Sequence, residues 1–291
     1  MILARLIPGA TTQLSLRRSS WQTVLMSQST RTALEASTGT LILHTWPNAQ
    51  ASWIAILVHG YGEHLGRYEH VADRLIAAGA VVYGADHAGH GNSSGEPVLI
   101  DDFEPVVADV RLVVDYAESR HPGLPVVVIG HSMGGMIAAR YGQLYGRELT
   151  ALVLSGPVLG SWHVTELADL PEIPNEPLDT STLSRDPKVG QAYAEDTLVW
   201  HGPFKRVTLL AFADELELIN NDGDLGELPT LWVHGEADQL VPIDPTRVGI
   251  MAIRGSQFTQ HTYPGARHEI FNETNADEVL DDVVTFISDH V

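Results

Sequence analysis

The chain of 291 residues has no cysteine, only two lysines and no long uninterrupted apolar segment. Without cysteine it forms neither disulfide bonds nor thiolate metal ligands, and a thiol nucleophile is excluded. No apolar run approaches the ~20 residues that a membrane-spanning helix needs. The formal net charge is -20, because 17 basic residues stand against 37 acidic ones. Such a surface repels polyanions, so we expect neither nucleic acid nor anionic lipid headgroups as partners.

The first thirty residues contain several arginines, many serines and threonines, and no acid before Glu35. Their apolar stretch is shorter than that of a secretory signal, whereas the composition also fits a transit peptide. We interpret residues 1–30 as a flexible extension that adds little to the fold, with Met26 as an alternative first residue. We expect a cytoplasmic protein.

A Gly-His-Ser-Met-Gly motif at residues 130–134 stands where an apolar strand gives way to a helix. Residues 124–129 are mostly β-branched, and the helix formers after Ser132 include no proline. This context predicts a nucleophile elbow, a sharp turn that exposes the serine hydroxyl at the start of a helix. The helix amides then point at any negative charge beside that hydroxyl. A chance match in a glycine-rich loop is the alternative.

Other apolar strands alternate with helical patterns along the chain. Strands are predicted at residues 53–58, 81–83, 149–154, 229–234 and 258–263, and helices at residues 66–78, 106–117 and 279–290. An alternating hairpin of two edge strands precedes them at residues 32–45. The alternation predicts an α/β fold with a doubly wound, mostly parallel sheet.

This rhythm stops after Pro157. Residues 158–228 carry no comparable strand, contain recurring prolines, and have their strongest helical pattern at residues 209–219. A long insertion with its own helices predicts a cap, and its apolar content argues against a disordered insertion. The predicted domains are therefore a core of residues 31–157 and 229–291 and a cap of residues 158–228.

A serine hydroxyl is a poor nucleophile at neutral pH and needs a base that an acid orients. On such an elbow the acid and then the histidine follow late strands in chain order. Asp238 and His268 stand at these two places, which predicts Asp238 as the orienting acid and His268 as the base. Glu236 and Asp244 are rival acids, more simply interpreted as solvated loop charges.

An oxyanion formed at Ser132 needs two backbone donors. One predicted donor is the amide of Met133, directly after the nucleophile. The other is the amide of Tyr61, between two glycines in the loop after a buried strand. A plain strand-to-helix turn at Tyr61 is the alternative.

Four histidines lie in pairs in the loops beside this predicted site: His59 with His64, and His87 with His90. Neither pair has an acidic partner at the spacing of a compact ligand set. We therefore predict no metal site and interpret these histidines as hydrogen bonders that fix loops.

Five residues are candidates for contacting substrate. Glu63 and Arg67 adjoin the oxyanion loop, where surface solvation is the simpler interpretation, and His131 precedes the nucleophile, where packing is simpler. Leu159 and Trp200 are apolar residues of the predicted cap.

Four motifs of the core, and two segments of the cap, are informative together. They are residues 59–68 (His-Gly-Tyr-Gly-Glu-His, then Gly-Arg-Tyr), 86–91, 130–135 and 268–273, with residues 184–187 and 196–202 in the cap. This set resembles the monoacylglycerol lipase and lysophospholipase branch of the α/β-hydrolases over about residues 33–291. Tyr61 departs from it, because members usually carry a small or aliphatic side chain there.

The resemblance implies an α/β-hydrolase fold with a mostly parallel eight-stranded sheet, helices on both faces and an inserted helical cap (lid). It also implies Ser132, Asp238 and His268 as a catalytic triad and Tyr61 and Met133 as the oxyanion hole. Glu63 and Arg67 would then lie near the glycerol end of a substrate.

Residues and resemblance together predict a serine ester hydrolase that cleaves monoacylglycerols or related single-chain lipid esters through an acyl-enzyme, without a cofactor. A carboxylesterase for short-chain or small non-lipid esters is the alternative, and a catalytically silent binding protein of the same fold is a third. Ser132 argues against enzymes of this fold that use an aspartate nucleophile, and no acidic cluster is clearly placed to hold the amino terminus of a peptide. The expected partner is a small lipid or ester, with at most peripheral membrane contact through the cap, and the oligomeric state stays open.

Overall fold

The computed structural model describes residues 29–291, so the alternative start at Met26 and the features expected of residues 1–28 lie outside the described residues. Eight strands form one sheet in the order β1-β2-β4-β3-β5-β6-β7-β8. The strands are β1 Thr30–Ala36, β2 Gly39–Trp46, β3 Trp53–Val58, β4 Ala80–Asp86, β5 Val126–His131, β6 Ala151–Ser155, β7 Thr230–Gly235 and β8 Phe258–Tyr263. The helices are α1 Glu69–Ala77, α2 Glu104–Arg120, α3 Met133–Tyr145, α4 Pro187–Glu195, α5 Arg206–Asn221, α6 Ile243–Ile253 and α7 Ala276–Ser288.

Strands β3 to β8 all run parallel, and only β1 with β2 and β2 with β4 pair antiparallel. The central strands β3, β5, β6 and β7 are buried along their whole length. Their near-continuous apolar sequences follow from this, because helices cover both faces of the sheet. Apolar side chains of α1 and α7 pack on one face, and those of α2, α3 and α5 pack on the other. The predicted mostly parallel eight-stranded sheet is confirmed.

Three details of the sequence interpretation are wrong. Thr30 already pairs with Thr45 in the sheet, so the predicted extension of residues 1–30 is too long at its end. Strand β2 is not an edge strand, because its second side pairs with β4. Helix α6 was not expected, and its first turn contains Pro245, which is tolerated there because the first-turn amides have no intrahelical partner.

Residues 156–229, here called the inter-strand segment, connect β6 to β7. Within it the structure has short 3-10 turns at His163–Asp169 and Thr180–Thr182 and the two helices α4 and α5. Helix α5 contains the predicted helix of residues 209–219, whereas the division into core and cap stays a prediction. Within the part of the chain that the structure describes, no helix combines the length and the apolar character that crossing a membrane requires.

Candidate active site

Ser132 lies at the turn between β5 and α3, as the elbow motif predicts. Its backbone has φ 57° and ψ -119°, in the left-handed region that side-chain-bearing residues rarely adopt. The helix after it approaches the sheet so closely that no side chain fits between them. A Cβ at Gly130 would lie 2.2 Å from the Gly134 carbonyl oxygen, and a Cβ at Gly134 only 2.1 Å from that of Val58. The two glycines therefore permit the contact that presents the Ser132 hydroxyl.

The structure brings Ser132, His268 and Asp238 into one hydrogen-bonded chain. His268 Nε2 lies 2.9 Å from Ser132 Oγ, and His268 Nδ1 lies 2.7 Å from Asp238 Oδ2. Because a carboxylate only accepts, the neutral imidazole donates its Nδ1 proton to Asp238. The lone pair of Nε2 is then free to accept the proton of the Ser132 hydroxyl.

Asp238 is buried but remains a charged acceptor. Its Oδ1 accepts hydrogen bonds from the amides of Leu240 and Val241, both at 2.9 Å. Burial would raise the pKa of Asp238, but the facing His268, together with a bond from His234, outweighs burial and lowers it. Burial likewise would lower the pKa of His268, and the Asp238 carboxylate outweighs it and raises that pKa above 6.5. The pair thus favours a proton on His268.

The predicted oxyanion loop, residues 59–64, lies directly against the nucleophile. A Cβ at Gly60 would be 3.2 Å from the Cβ of Ser132. Met133 is the first residue of α3 and fully buried, so its amide begins the helix beside Ser132. The Tyr61 ring stacks on Phe204 with centroids 4.7 Å apart, on the side of the inter-strand segment. Met133 therefore adjoins Ser132 in the chain, and Gly60, the residue before Tyr61, lies beside it in space, whereas the binding of an oxyanion by the amides of Tyr61 and Met133 stays a prediction.

Glu63 and Arg67 are not solvated surface charges, the simpler expectation for them. Both are nearly buried, and Arg67 donates to Glu63 Oε2 at 2.6 Å and to Glu269 Oε2 at 2.7 Å. Glu63 Oε1 also accepts from the Gly60 amide at 2.8 Å and from the Tyr68 hydroxyl at 2.7 Å. Burial raises the pKa of Glu63, but the guanidinium outweighs burial and the net shift is downward. Arg67 therefore joins the oxyanion loop to the residue that follows His268.

His131 packs beside the base, as its position before the nucleophile predicts. Its Nδ1 lies 3.0 Å from the Ser155 carbonyl oxygen, and its ring centroid lies 4.8 Å from that of His268. Burial first, and then the neighbouring His268, lowers the pKa of His131 to about 4. It therefore stays neutral at neutral pH and adds no charge beside His268.

The other loop histidines also make structural hydrogen bonds. His59 Nδ1 lies 2.8 Å from the Gly60 carbonyl oxygen, and His59 Nε2 accepts from the His87 amide at 2.9 Å. Burial lowers the pKa of His87 to about 3, so this ring is uncharged. Among residues 29–291, no group of three or more His, Cys, Asp or Glu is arranged to hold a metal ion.

A cavity of about 470 Å³ opens onto Ser132 and His268. Its lining includes five of the predicted substrate or oxyanion residues: Tyr61, Glu63, Arg67, His131 and Trp200. Apolar residues of the inter-strand segment form much of the remaining wall, among them Trp162, Val164, Pro174, Pro177, Leu178 and Phe204. Leu159 is not part of this wall, because its side chain packs in the core against the sheet. The sequence of an inserted segment does not show whether a given apolar residue lines the cavity or packs in the core.

The rival acids lie away from the base. The exposed Glu236 accepts from the Thr262 hydroxyl at 2.8 Å, and Asp244 is an exposed residue in the first turn of α6. Sequence reasoning missed two other side chains, Glu269 and Asp196, which contact Arg67 and His64. Their partners are 202 and 132 residues away in the chain, so the only signal in the sequence is that Glu269 directly follows His268.

Comparison with known proteins identifies the family. Residues 49–275 match the family Hydrolase_4, described as serine aminopeptidase, S33. A monoacylglycerol lipase of Mycolicibacterium smegmatis is 38% identical over 262 residues, which cover 86% of this chain and 94% of that protein. Human monoglyceride lipase is 31% identical over 238 residues, which cover 78% of each chain.

Solved structures agree with this fold. A soluble variant of monoglyceride lipase from Saccharomyces cerevisiae, in complex with a substrate analog, has a TM-score of 0.81 at 20% identity and covers 92% of this chain and 97% of its own. A monoacylglycerol lipase of Paleococcus ferrophilus has a TM-score of 0.73 at 24% identity and covers 91% of this chain and 100% of its own. The chain therefore belongs to the Hydrolase_4 (serine aminopeptidase, S33) family and is an α/β-hydrolase similar to monoacylglycerol lipases.

Proposed function

We propose that this protein is a serine ester hydrolase that cleaves monoacylglycerols, with Ser132, His268 and Asp238 as its catalytic triad. The observation that carries the proposal is the Asp238–His268–Ser132 hydrogen-bonded chain, whose hydroxyl end faces a large, partly apolar cavity. Relatives named monoacylglycerol lipase and monoglyceride lipase support the substrate class. No step in the reaction requires a cofactor.

Acylation starts when Ser132 Oγ attacks the ester carbonyl carbon and its proton passes to His268 Nε2. The carbonyl oxygen becomes negative and is stabilised by the amides of Tyr61 and Met133, which need not reorient during the step. Asp238 stabilises the imidazolium that forms. The tetrahedral intermediate collapses, the bond to the glycerol oxygen breaks, and His268 returns the proton to that oxygen.

Deacylation repeats the sequence with water. His268 takes a proton from a water molecule, whose oxygen attacks the acyl carbon bound to Ser132. The same two amides stabilise the second oxyanion, and the Ser132 oxygen leaves with the proton that His268 returns. The free fatty acid is then released and the resting hydrogen-bonded chain is restored.

The lining of the cavity supports an orientation for the substrate. Arg67 contacts both Glu63 and Glu269, and the three form one polar patch; the centroid of the Tyr193 ring lies 5.0 Å from the guanidinium carbon. The aromatic wall made by Tyr61, Phe204 and Trp162 suits an acyl chain. We propose that the glycerol end contacts the polar patch and that the inter-strand segment acts as a cap over the acyl chain.

The decisive experiment replaces Ser132 by Ala. We expect a loss of at least ~10³-fold in kcat for 1-monooleoylglycerol, because the hydroxyl that His268 activates is then missing. A serine-directed phosphonate should add its mass to the wild-type protein and not to the variant. Ser119→Ala, on the surface of α2, is the control and should retain full activity. An unchanged rate in the Ser132 variant would falsify the proposal.

A chain-length series separates the lipase from the alternative, a carboxylesterase for short or small esters. We expect kcat/KM for p-nitrophenyl esters to rise with acyl length, because each methylene buried in the cavity adds up to ~0.8 kcal/mol. A maximum at acetate or butyrate, with no hydrolysis of 1-monooleoylglycerol, would favour the carboxylesterase. We also propose a cytoplasmic location and at most peripheral membrane contact through the cap. These two proposals rest on the sequence alone.

A further inference from the structure

The outer side of the oxyanion loop is bound by one short piece of the inter-strand segment, residues 196–204, here called the clamp loop. Three successive contacts join the two. His64 Nε2 lies 2.9 Å from Asp196 Oδ2, the Trp200 amide donates to the Gly62 carbonyl at 2.8 Å, and the Tyr61 ring stacks on Phe204. Because the contacts at residues 64, 62 and 61 pair in turn with residues 196, 200 and 204, they hold the two segments together along their length and not at a single point.

The His64 contact has a defined direction. Its Nδ1 accepts a hydrogen bond from the Gly66 amide at 3.1 Å and caps the 3-10 turn that follows. The neutral ring therefore carries its proton on Nε2 and donates it to Asp196. The other oxygen of Asp196 accepts from the Leu198 amide at 2.9 Å, which fixes the carboxylate within the clamp loop. Both partners are thus held on their own sides, and the bond between them joins two rigid pieces.

The oxyanion loop is held equally firmly from inside. The Gly60 amide donates to the buried Glu63, one residue before Tyr61, and the Gly62 carbonyl accepts from Trp200, one residue after it. The orientation of the Tyr61 amide is thereby set from both sides. The outer contact comes from the inter-strand segment, whose Trp200, Gly202 and Phe204 are part of the cavity wall.

We infer that the clamp loop completes the oxyanion hole, and that His64 and Asp196 are positioning residues that act through the Tyr61 amide. The inference rests on the proposed function, because it assigns to that amide the stabilisation of the oxyanion. An acyl chain that seats the clamp loop then also orients the donor for the chemical step. Substrate binding and the rate of acylation are coupled in this way through contacts that never touch the reacting atoms.

Two variants break the same bond from opposite sides. Asp196→Asn keeps the oxygen that accepts from Leu198 but turns an NH₂ group toward the proton of His64. His64→Asn keeps an oxygen for the Gly66 amide but is too short to reach Asp196. We expect each to lower kcat for p-nitrophenyl butyrate about 10-fold or more, with KM changed less than about threefold. His64→Gln, whose amide nitrogen reaches toward Asp196, should recover most of the loss.

Glu96→Gln is the matched control. It removes the ion pair between Glu96 and Lys205, which holds the same part of the inter-strand segment but ends outside the oxyanion loop. We expect this variant to keep the wild-type kcat. Thermal unfolding of all four variants shows whether any loss of rate is merely a loss of fold.

A second measurement follows the clamp without catalysis. Hydrogen exchange of the Trp200 amide proton should accelerate about 10-fold or more in Asp196→Asn and His64→Asn, and stay unchanged in Glu96→Gln. Faster exchange with an unchanged kcat would overturn the inference, as would a loss confined to KM or a loss equal to that of the control. These outcomes differ from failure of the proposed function, in which Ser132→Ala itself keeps its rate.

Discussion

Two buried polar chains leave the neighbouring residues His268 and Glu269 in different directions. One connects His268 to Asp238 on one side and to Ser132 on the other, and ends at a hydroxyl that faces the cavity. The other connects Glu269 through Arg67 to Glu63, and ends at the Gly60 amide. Both are buried to a similar degree and both border the cavity. They differ in their last group: the Ser132 hydroxyl can transfer its proton during a reaction, whereas the Gly60 amide is fixed in a hydrogen bond to Glu63.

The comparison shows how burial serves opposite purposes in one site. In the chain through Arg67, two carboxylates share one guanidinium. Glu63 Oε1 also accepts from Tyr68 and a backbone amide, and Glu269 Oε2 also accepts from Asn272. The guanidinium is paired with both carboxylates, so the chain holds loops in place. In the chain through His268 the only fixed charge is Asp238, and the proton beside it can move. A rigid frame therefore surrounds a titratable centre.

The largest effect is expected from a substitution at Asp238, which breaks the chain of Asp238, His268 and Ser132, here called the reactive chain. Asp238→Asn keeps the shape but presents an NH₂ or a neutral oxygen to His268, which favours the wrong tautomer and removes the charge that stabilises the imidazolium. We expect kcat to fall about 10⁴-fold at neutral pH with little change in KM. Steady-state kinetics with 1-monooleoylglycerol measure the loss, and Glu236→Gln, at the exposed rival acid, is the control. A loss below about tenfold would show that Asp238 does not orient the base.

A smaller loss of activity, but a large loss of stability, is expected from breaking the chain of Glu269, Arg67 and Glu63, here called the rigid chain. Arg67→Met leaves Glu63 and Glu269 buried without their cation, which typically costs about 3–5 kcal/mol. The oxyanion loop also loses its link to the His268 loop, and we expect kcat to fall about 10- to 100-fold. Urea unfolding and kinetics measure the two effects.

Arg111→Met is the matched control for Arg67→Met. Arg111 also bonds two carboxylates, those of Asp115 and Glu148, but at the surface, where such pairs contribute less than about 1 kcal/mol. Equal destabilisation by the two substitutions would contradict the view that Arg67 neutralises a buried pair.

The sequence was sufficient for the reactive chain but not for the rigid one. Ser132 lies in a local strand-turn-helix pattern, Asp238 follows a buried apolar strand, and His268 follows a strand marked by aromatic and β-branched residues. These signals are local in the chain, so they can be recognised from the sequence without a structure. The contact between Arg67 and Glu269 depends on how two loops 202 residues apart approach each other, and solvation was the simpler expectation for Arg67.

The inserted segment marks the same limit. Its strongest helix was predictable from periodicity, and α5 contains it. Leu159 and Trp200 were indistinguishable as apolar residues, yet one packs in the core and the other lines the cavity. Apolar character predicts burial, but not whether the covering atoms belong to the protein or to a substrate.

The pH profile should distinguish the two chains. Protonated His268 cannot act as a base, so kcat/KM should rise with pH, with a midpoint above 6.5 because Asp238 raises the pKa of His268. In Asp238→Asn the remaining effect of burial should move that midpoint below 6.5. Glu63 and Arg67 should add no second midpoint near neutral pH, because the pKa of Glu63 is lowered and that of Arg67 is raised. An unshifted midpoint in Asp238→Asn would show that the Asp238–His268 pair does not set the pH dependence of kcat/KM.

The smallest effect is expected at Glu215 on α5, a buried carboxylate that belongs to neither chain. Its Oε1 has no hydrogen-bond partner among the described residues, and burial, with Glu104 nearby, raises its pKa to about 7. Its charge therefore destabilises the fold increasingly as the pH rises from 4.5 towards about 7. Glu215→Gln should increase the free energy of unfolding by about 1 kcal/mol at pH 8 and leave it unchanged at pH 4.5. Activity should be unaffected, and equal gains at both pH values would contradict this account.

The crowding at Gly130 and Gly134 has a consequence for how such an enzyme can acquire new substrates. Even one methyl group at either position would overlap a backbone atom of the neighbouring strand or helix. Selection or engineering for a different ester therefore has no freedom at the elbow, and every viable variant must inherit it unchanged. Diversification is confined to the walls of the cavity, where side chains of the inserted segment can be exchanged while the reaction itself stays the same.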